Sequence, residues 1–281
     1  MIKEIKKLQN ALNFYADIVA ANLGLFNSSS DYCKFIVLGQ ARSGSNFLRG
    51  LLDSHSQVIT YGELFVNPDF IGWHRPKYDR YLQTKSLILL MRKDPKKFLE
   101  QKVFRKYASQ VSAVGFKIFY DQAREDSRKA VWDFLQSQKD IKVIHLKRKN
   151  MLRTFLSLKK ALTTKEWIII APKVTNYKPQ DVKISLTYEE CLQYFNRMQD
   201  YMSEHDIFFA QHQKIDVFYE ELSINTEYEI RRIQDFLELD YKPLKSYTLK
   251  QSSLPLSQSI SNYFELKEKF QNTPWEGFFE D

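Results

Sequence analysis

Of 281 residues only 8 are glycine and 8 proline, well under the glycine share of about 7% usual in soluble domains, which excludes collagen-like, linker-like and low-complexity chains. Aromatic residues make up 15% of the chain, enough for a large core at a length that needs no covalent staples. Two cysteines, Cys33 and Cys191, cannot build a disulfide framework and their spacing suits no metal site, so a reducing, cytoplasmic setting is expected. Lysine and arginine number 42 against 34 acidic residues, a net charge of +8; an anionic partner follows, of a kind the balance alone does not identify.

In chain order, Ile2, Ile5, Leu8, Leu12, Tyr15, Val19 and Leu23 recur at helical spacing and predict an N-terminal amphipathic helix within residues 1–31. It is expected to pack on the rest of the chain through that stripe, with docking on a membrane surface or a partner as the alternative. No segment is long and apolar enough to cross a membrane. Strands are predicted at Phe35–Leu38, Val114–Ile118, Lys142–Leu146 and Ile215–Phe218, and helices over 45–54, 125–138, 150–163, 187–204 and 226–237. Such alternation implies a parallel α/β sheet flanked by helices, whose ligands bind at the carboxyl ends of the strands. Segments 165–186 and 244–262 read as irregular loops over a site, and the C-terminal part as an extension of helices and loops.

Charge is uneven along the chain. Residues 142–165 carry Lys142, Lys147, Arg148, Lys149, Arg153, Lys159, Lys160 and Lys165 without one acid, 74–106 is also basic, and 215–240 is acid-rich. Two localised basic segments suggest a focused anionic ligand.

The segment FIVLGQARSGSNFLRGLL runs from an apolar strand through Gly39 and Gly44 into an amphipathic helix. The glycine spacing is that of a phosphate-binding loop, but Ser45 and Asn46 stand where a nucleoside-triphosphate loop needs lysine and a magnesium-holding hydroxyl. Backbone N–H groups at the helix start can still cradle an oxyanion, with Arg42 as a cation and Ser43, Ser45 and Asn46 as further donors. The plain alternative is a strand-to-helix turn with serine caps. As it stands, the loop suits an anion that needs no metal.

ARSGSNFLRGLLDSHSQV resembles the 5′-phosphosulfate loop of sulfotransferases that use 3′-phosphoadenylyl sulfate, and VIHLKRKNMLRTFLSLKKA resembles their 3′-phosphate segment. YGELF, VGFKIFYDQ and FYEEL…IQDFLEL are similar to bacterial members of nodulation and glycolipid type, in the same order. The resemblance runs from about residue 35 to the C-terminus and implies a P-loop NTPase-like sheet in a sulfotransferase domain over 32–281. It implies that Arg42, Ser43, Gly44, Ser45, Asn46 and Phe47 hold the 5′-phosphate and sulfuryl end, and Arg148 and Ser157 the 3′-phosphate. Relatives place the serine one residue nearer the arginine than Ser157 is to Arg148; Lys149 would restore that spacing, so both basic residues stand as candidates. The helix is expected to place Asn150, Arg153 or Thr154, Ser157 and Lys160 on one face and Met151, Phe155, Leu158 and Leu162 on the apolar one.

Glu63 matches the position of a catalytic carboxylate in glycolipid-type relatives, where it would take the acceptor's proton, although nearby cations would weaken it as a base. Lys117, inside an apolar strand, either touches the sulfuryl group or acceptor or forms a structural ion pair. His55 and His145 read as structural. His74, with Trp73 and Arg75, is a candidate for the acceptor side, and Lys250–Ser253 resembles a loop closing over the nucleotide. The expected reaction is sulfuryl transfer to a hydroxyl of a carbohydrate or glycolipid, without metal and without nucleic acid. Its competitors are a kinase-like phosphotransferase, a basic nucleic-acid-binding module using residues 142–165, and a non-catalytic scaffold of the same fold.

Overall fold

Five strands form one parallel sheet in the order β3-β5-β2-β6-β7, with β2 at Cys33–Gly39, β3 at Val58–Glu63, β5 at Ala113–Phe119, β6 at Lys142–Lys147 and β7 at Lys214–Phe218. This computed structural model describes residues 2–75, 82–167, 182–247 and 254–280. Every residue of β5 and β6 is buried, as expected of parallel strands covered on both faces. The four predicted strands are present, each extended by one or more residues at an end. A short antiparallel pair, β1 (Ser28–Ser29) with β4 (Tyr107–Ala108), lies apart from the main sheet.

Eleven α-helical segments occur among the described residues: α1 (Ile2–Asn22), α2 (Ser45–Asp53), α3 (Lys85–Lys93), α4 (Pro95–Phe98), α5 (Ala130–Ser137), α6 (Met151–Thr164), α7 (Tyr188–Phe208), α8 (Tyr219–Ile224), α9 (Thr226–Phe236), α10 (Leu256–Ser259) and α11 (Tyr263–Lys269). One sheet face packs under Phe98, Trp73, Met91 and Trp132; the other packs on Leu48, Leu52 and Ile233 from α2 and α9. A further apolar cluster joins α6 and α7 to the C-terminal helices through Phe155, Phe195 and Phe270.

Two expectations are corrected here. Helix α1 exists and Tyr15 of the predicted stripe packs on the core, but among the side chains described there its companions are Phe14, Ile18 and Ala21, whereas Leu12, Val19 and Leu23 are more than half exposed. The helix is apolar on more than one side, and periodicity does not say which stripe the core accepts. On α6 the buried residues are Met151, Leu152, Thr154, Phe155, Leu156 and Ala161, with Leu162 exposed. Its apolar face is therefore turned toward 152 and 156, because α7 and the C-terminal helices cover it from that side.

The basic stretch 142–165 is largely neutralised in three dimensions. Lys142 pairs with Glu238, Lys147 with Asp206 and Asp216, Arg148 with Glu220, Lys149 with Glu221 and Lys159 with Glu190. Four of those acids come from the acid-rich 215–240. The linear charge blocks thus mostly hold the sheet edge to its helices.

Candidate active site

The carboxyl ends of all five strands converge on one side. Strand β2 runs into the loop Gln40–Gly44, in which Arg42 (φ 67°) and Gly44 (φ 90°) adopt left-handed backbone. A non-glycine residue held there costs on the order of 1 kcal/mol, so Arg42 is kept in place by its surroundings. A Cβ on Gly44 would lie 2.0 Å from the Tyr219 ring, so glycine is required both for backbone conformation and for contact. Helix α2 starts at Ser45 with no side chain capping it. The serine-cap alternative therefore does not apply; of the first amides of α2, those of Phe47 and Leu48 both donate to the Gly44 carbonyl, at 2.9 and 3.1 Å.

That cavity, about 720 Å³, is lined by Arg42, Ser45, Asn46, Glu63 and His74 on the loop side. Phe65, Gln122, Arg124, Arg128 and Trp167 also line it. Glu63 arrives on β3, an element absent from the predicted strands, through a local irregularity. Tyr61 pairs with Phe116 in register, but the next pairing is Glu63 with Lys117, so one extra residue, Gly62, is accommodated at a bulge. Without the bulge Gly62 would face Lys117 and the carboxylate would point to the other face. Gly62 also allows close approach: a Cβ there would lie 2.3 Å from His74 Cγ and 2.5 Å from the Gly72 carbonyl oxygen.

Lys117 is fully buried and its ammonium donates to Ser45 Oγ (3.2 Å), Asn46 Oδ1 (2.6 Å) and Glu63 Oε1 (3.1 Å). Of the two readings of this residue the structure shows the ion pair, which ties the loop after β2 to the carboxylate. Lys117 itself does not line the cavity. Burial works to raise the Glu63 pKa, but Lys117, His74 and the hydrogen bonds from Lys117 and Gln122 outweigh it, leaving the carboxyl below its usual range. Burial, opposed by Glu63, lowers the pKa of Lys117. His74, half-buried, is pushed down to about 4 by desolvation and by the charge of Lys117 and stays neutral at physiological pH. Its carbonyl accepts from Arg49 of α2 at 3.1 Å.

The second half of the site lies behind Arg42. Arg42 Nε donates to Ser157 Oγ at 3.0 Å, and Nη1 donates to the Trp167 carbonyl at 2.6 Å. Its pKa is lowered by burial and then by the charge of Arg148. The Arg148 guanidinium lies 4.3 Å from the Tyr219 ring centroid while Nε donates to Glu220. Lys149 points away, exposed and paired with Glu221. Predicted residues Arg42, Gly44, Ser45, Asn46, Glu63, Lys117, Arg148 and Ser157 are thus brought together. Ser43 is brought into the loop but fully buried, its hydroxyl without a hydrogen bond partner among the described residues. Phe47 packs edge-on against Tyr219 at 6.4 Å rather than facing the cavity.

His55 is buried against the Asp240 carbonyl, and His145 is held between the Tyr120 hydroxyl and Asp206, as structural residues. Trp73 belongs to the core and Arg75 pairs with Asp53, so of that trio His74 alone lines the cavity. Lys250–Ser253 lies outside the described residues. Tyr219 and Gln122 escaped the sequence reading. Each directly follows or closely follows a strand end, in FYEEL and in FYDQ, and that position was the available signal.

A family model described as "Sulfotransferase family" matches residues 35–243. Nodulation protein H of Rhizobium tropici is 27% identical over 251 residues, covering 88% of this chain and 92% of that protein. Nodulation protein H of Rhizobium meliloti (strain 1021) is 26% identical over 252 residues, covering 88% and 94%. A sulfotransferase from Alicyclobacillus acidocaldarius superposes with a TM-score of 0.47 at 14% identity, covering 88% of this chain and 94% of that one. A mouse sulfotransferase complexed with PAP gives a TM-score of 0.41 at 14% identity, covering 92% and 91%.

Proposed function

The chain belongs to the sulfotransferase family, and from that premise we propose that it moves a sulfuryl group from 3′-phosphoadenylyl sulfate to a hydroxyl of a carbohydrate or glycolipid. The observation that carries the reading is the connected set Glu63–Lys117–Ser45/Asn46 at a cavity that Arg42 also lines, with Arg148 on the Tyr219 ring that meets the loop glycine. The co-substrate supplies an activated sulfuryl group on a phosphosulfate anhydride. The residues fit such a group: a helix start without a side-chain cap, two left-handed loop positions and the Arg42 guanidinium at the cavity form a cradle for an anion.

In this reading Glu63 accepts the proton of the acceptor hydroxyl as that oxygen bonds to sulfur. The bridging oxygen leaves with the nucleotide, and its developing charge is met by Arg42 and the first amides of α2. Positioning and electrostatics carry most of the rate, by analogy with phosphoryl transfer. A single negative charge on the transferred group asks less of the site than a γ-phosphoryl does, so side-chain cations suffice. Arg148 and Ser157 would hold the 3′-phosphate, with Lys149 turned outward. The rest of the lining, which includes Asp121, Gln122, Arg124 and Glu125 together with Phe65 and Trp167, suits a hydroxyl-rich ligand with apolar ring faces.

The test is transfer of radiolabelled sulfur from 3′-phosphoadenylyl sulfate into a panel of oligosaccharides and glycolipid extracts. Labelled product is expected with the wild-type protein and not with Glu63→Gln. Equal labelling by Glu63→Gln would place the base elsewhere, and labelling confined to protein-free controls would remove the reading.

A further inference from the structure

Gln122 sits in the turn that follows β5, where three backbone-linked contacts fix it. Its N–H donates to the Phe119 carbonyl at 3.0 Å, its carbonyl accepts from Trp132 Nε1 at 3.0 Å, and its side-chain Oε1 accepts from the Phe119 N–H at 3.2 Å. A backbone N–H can only donate, so the amide oxygen must face Phe119 and the NH2 must face the other way. In that direction lies Glu63, whose Oε2 accepts from Gln122 Nε2 at 2.9 Å. Oε1 of the same carboxylate is taken by Lys117. Gln122 is 8% exposed and lines the cavity.

We propose that Gln122 is a positioning residue for Glu63: its locked amide holds the second carboxylate oxygen and fixes the plane of the group at the cavity wall. Lys117 alone would leave the carboxylate free to turn about its Cγ–Cδ bond. With both oxygens engaged, the remaining lone pairs are the ones available to an acceptor hydroxyl. The consequence is directional. A donor to the ionised form favours ionisation, so removing it makes the carboxyl easier to protonate. This inference rests on the proposed role of Glu63 as base.

The experiment uses the full chain labelled with carboxyl-13C glutamate, with the Glu63 resonance identified by its absence in Glu63→Gln. Gln122→Met keeps the volume and removes the donor; Gln122→Glu keeps the acceptor for Phe119 and sets a second carboxylate beside the first. The Glu63 titration midpoint is expected to rise in Gln122→Met and to rise further in Gln122→Glu. The acid limb of the turnover profile should move in the same direction, and turnover in Gln122→Met should fall roughly tenfold, the loss of one charge-assisted hydrogen bond. Wild-type midpoints in both variants would overturn the proposal. A shifted midpoint together with an active Glu63→Gln would instead overturn the assignment of the base while leaving the contact with Gln122 standing.

Discussion

Replacing Lys117 with methionine probes the joint between the donor loop and the carboxylate. The ammonium is fully buried and has three oxygen partners, and the Glu63 side chain is 16% exposed. Removing one member of a buried pair costs about 3–5 kcal/mol, because the other charge stays buried without its partner. Glu63 borders the cavity and keeps Gln122 as a donor, so we expect the lower end, ~3 kcal/mol near pH 8. For a chain of this length that is a fall in Tm of about 6–9 °C. The loss depends on pH. In the wild-type protein the Glu63 pKa is depressed, so its stabilisation is present above the unfolded value and lost as pH falls. Without Lys117, burial is the largest influence and raises the pKa; stability is then kept at low pH and lost as pH rises. The gap between the two proteins should therefore be wide near pH 8 and narrow near pH 5. Glu63→Gln introduced together with Lys117→Met should recover most of the loss, as a double-mutant cycle measures. Denaturant melts at the two pH values provide the data. A cost below about 0.5 kcal/mol, or a double variant no better than the single, would refute the buried pair as described.

Arg148→Ala should weaken binding of 3′,5′-ADP by roughly 10- to 100-fold, the range of one lost charge-assisted contact, whereas Lys149→Ala should leave calorimetric affinity unchanged. Gly62→Ala places a methyl against His74 and the Gly72 carbonyl; a loss of about 1–3 kcal/mol in thermal melts and loss of sulfuryl transfer are expected. His74 and His145 are both held down to about 4 from an ordinary 6.5. The unfolded chain binds their protons first, so stability should decline as pH falls from about 6.5 toward 4. His145→Gln should flatten that decline in pH-dependent melts.

What could be read from the sequence follows how local each signal is. β2, β5, β6 and β7 stand out as short apolar runs, and the loop after β2 announces itself through Gly39, Arg42 and Gly44. β3 does not, because VITYGE mixes polar residues with a glycine and its place in the sheet depends on pairing with β5. The bulge at Gly62, which turns Glu63 toward Lys117, is a property of that pairing and leaves no mark in either strand alone. Helix α3 and the turns after it were hidden by their many lysines. Two of its buried residues, Leu87 and Met91, become informative only once Phe14 and Trp73 are known to pack in the same core. The basic run 142–165 looks more cationic in the sequence than in the fold for a related reason: the partners Asp206, Asp216, Glu220, Glu221 and Glu238 lie 59 or more residues away. Tyr219, which touches the loop glycine and Arg148 at once, reads in isolation as one of 16 tyrosines.

The most direct measurement is calorimetric titration of 3′,5′-ADP into the wild-type protein and Arg42→Ala, in buffer containing a metal chelator. The account predicts saturable binding to the wild-type protein, tighter than that of ADP and accompanied by a rise in Tm, and its loss in Arg42→Ala. Absence of binding, or an equal affinity for ADP that requires magnesium, would contradict it.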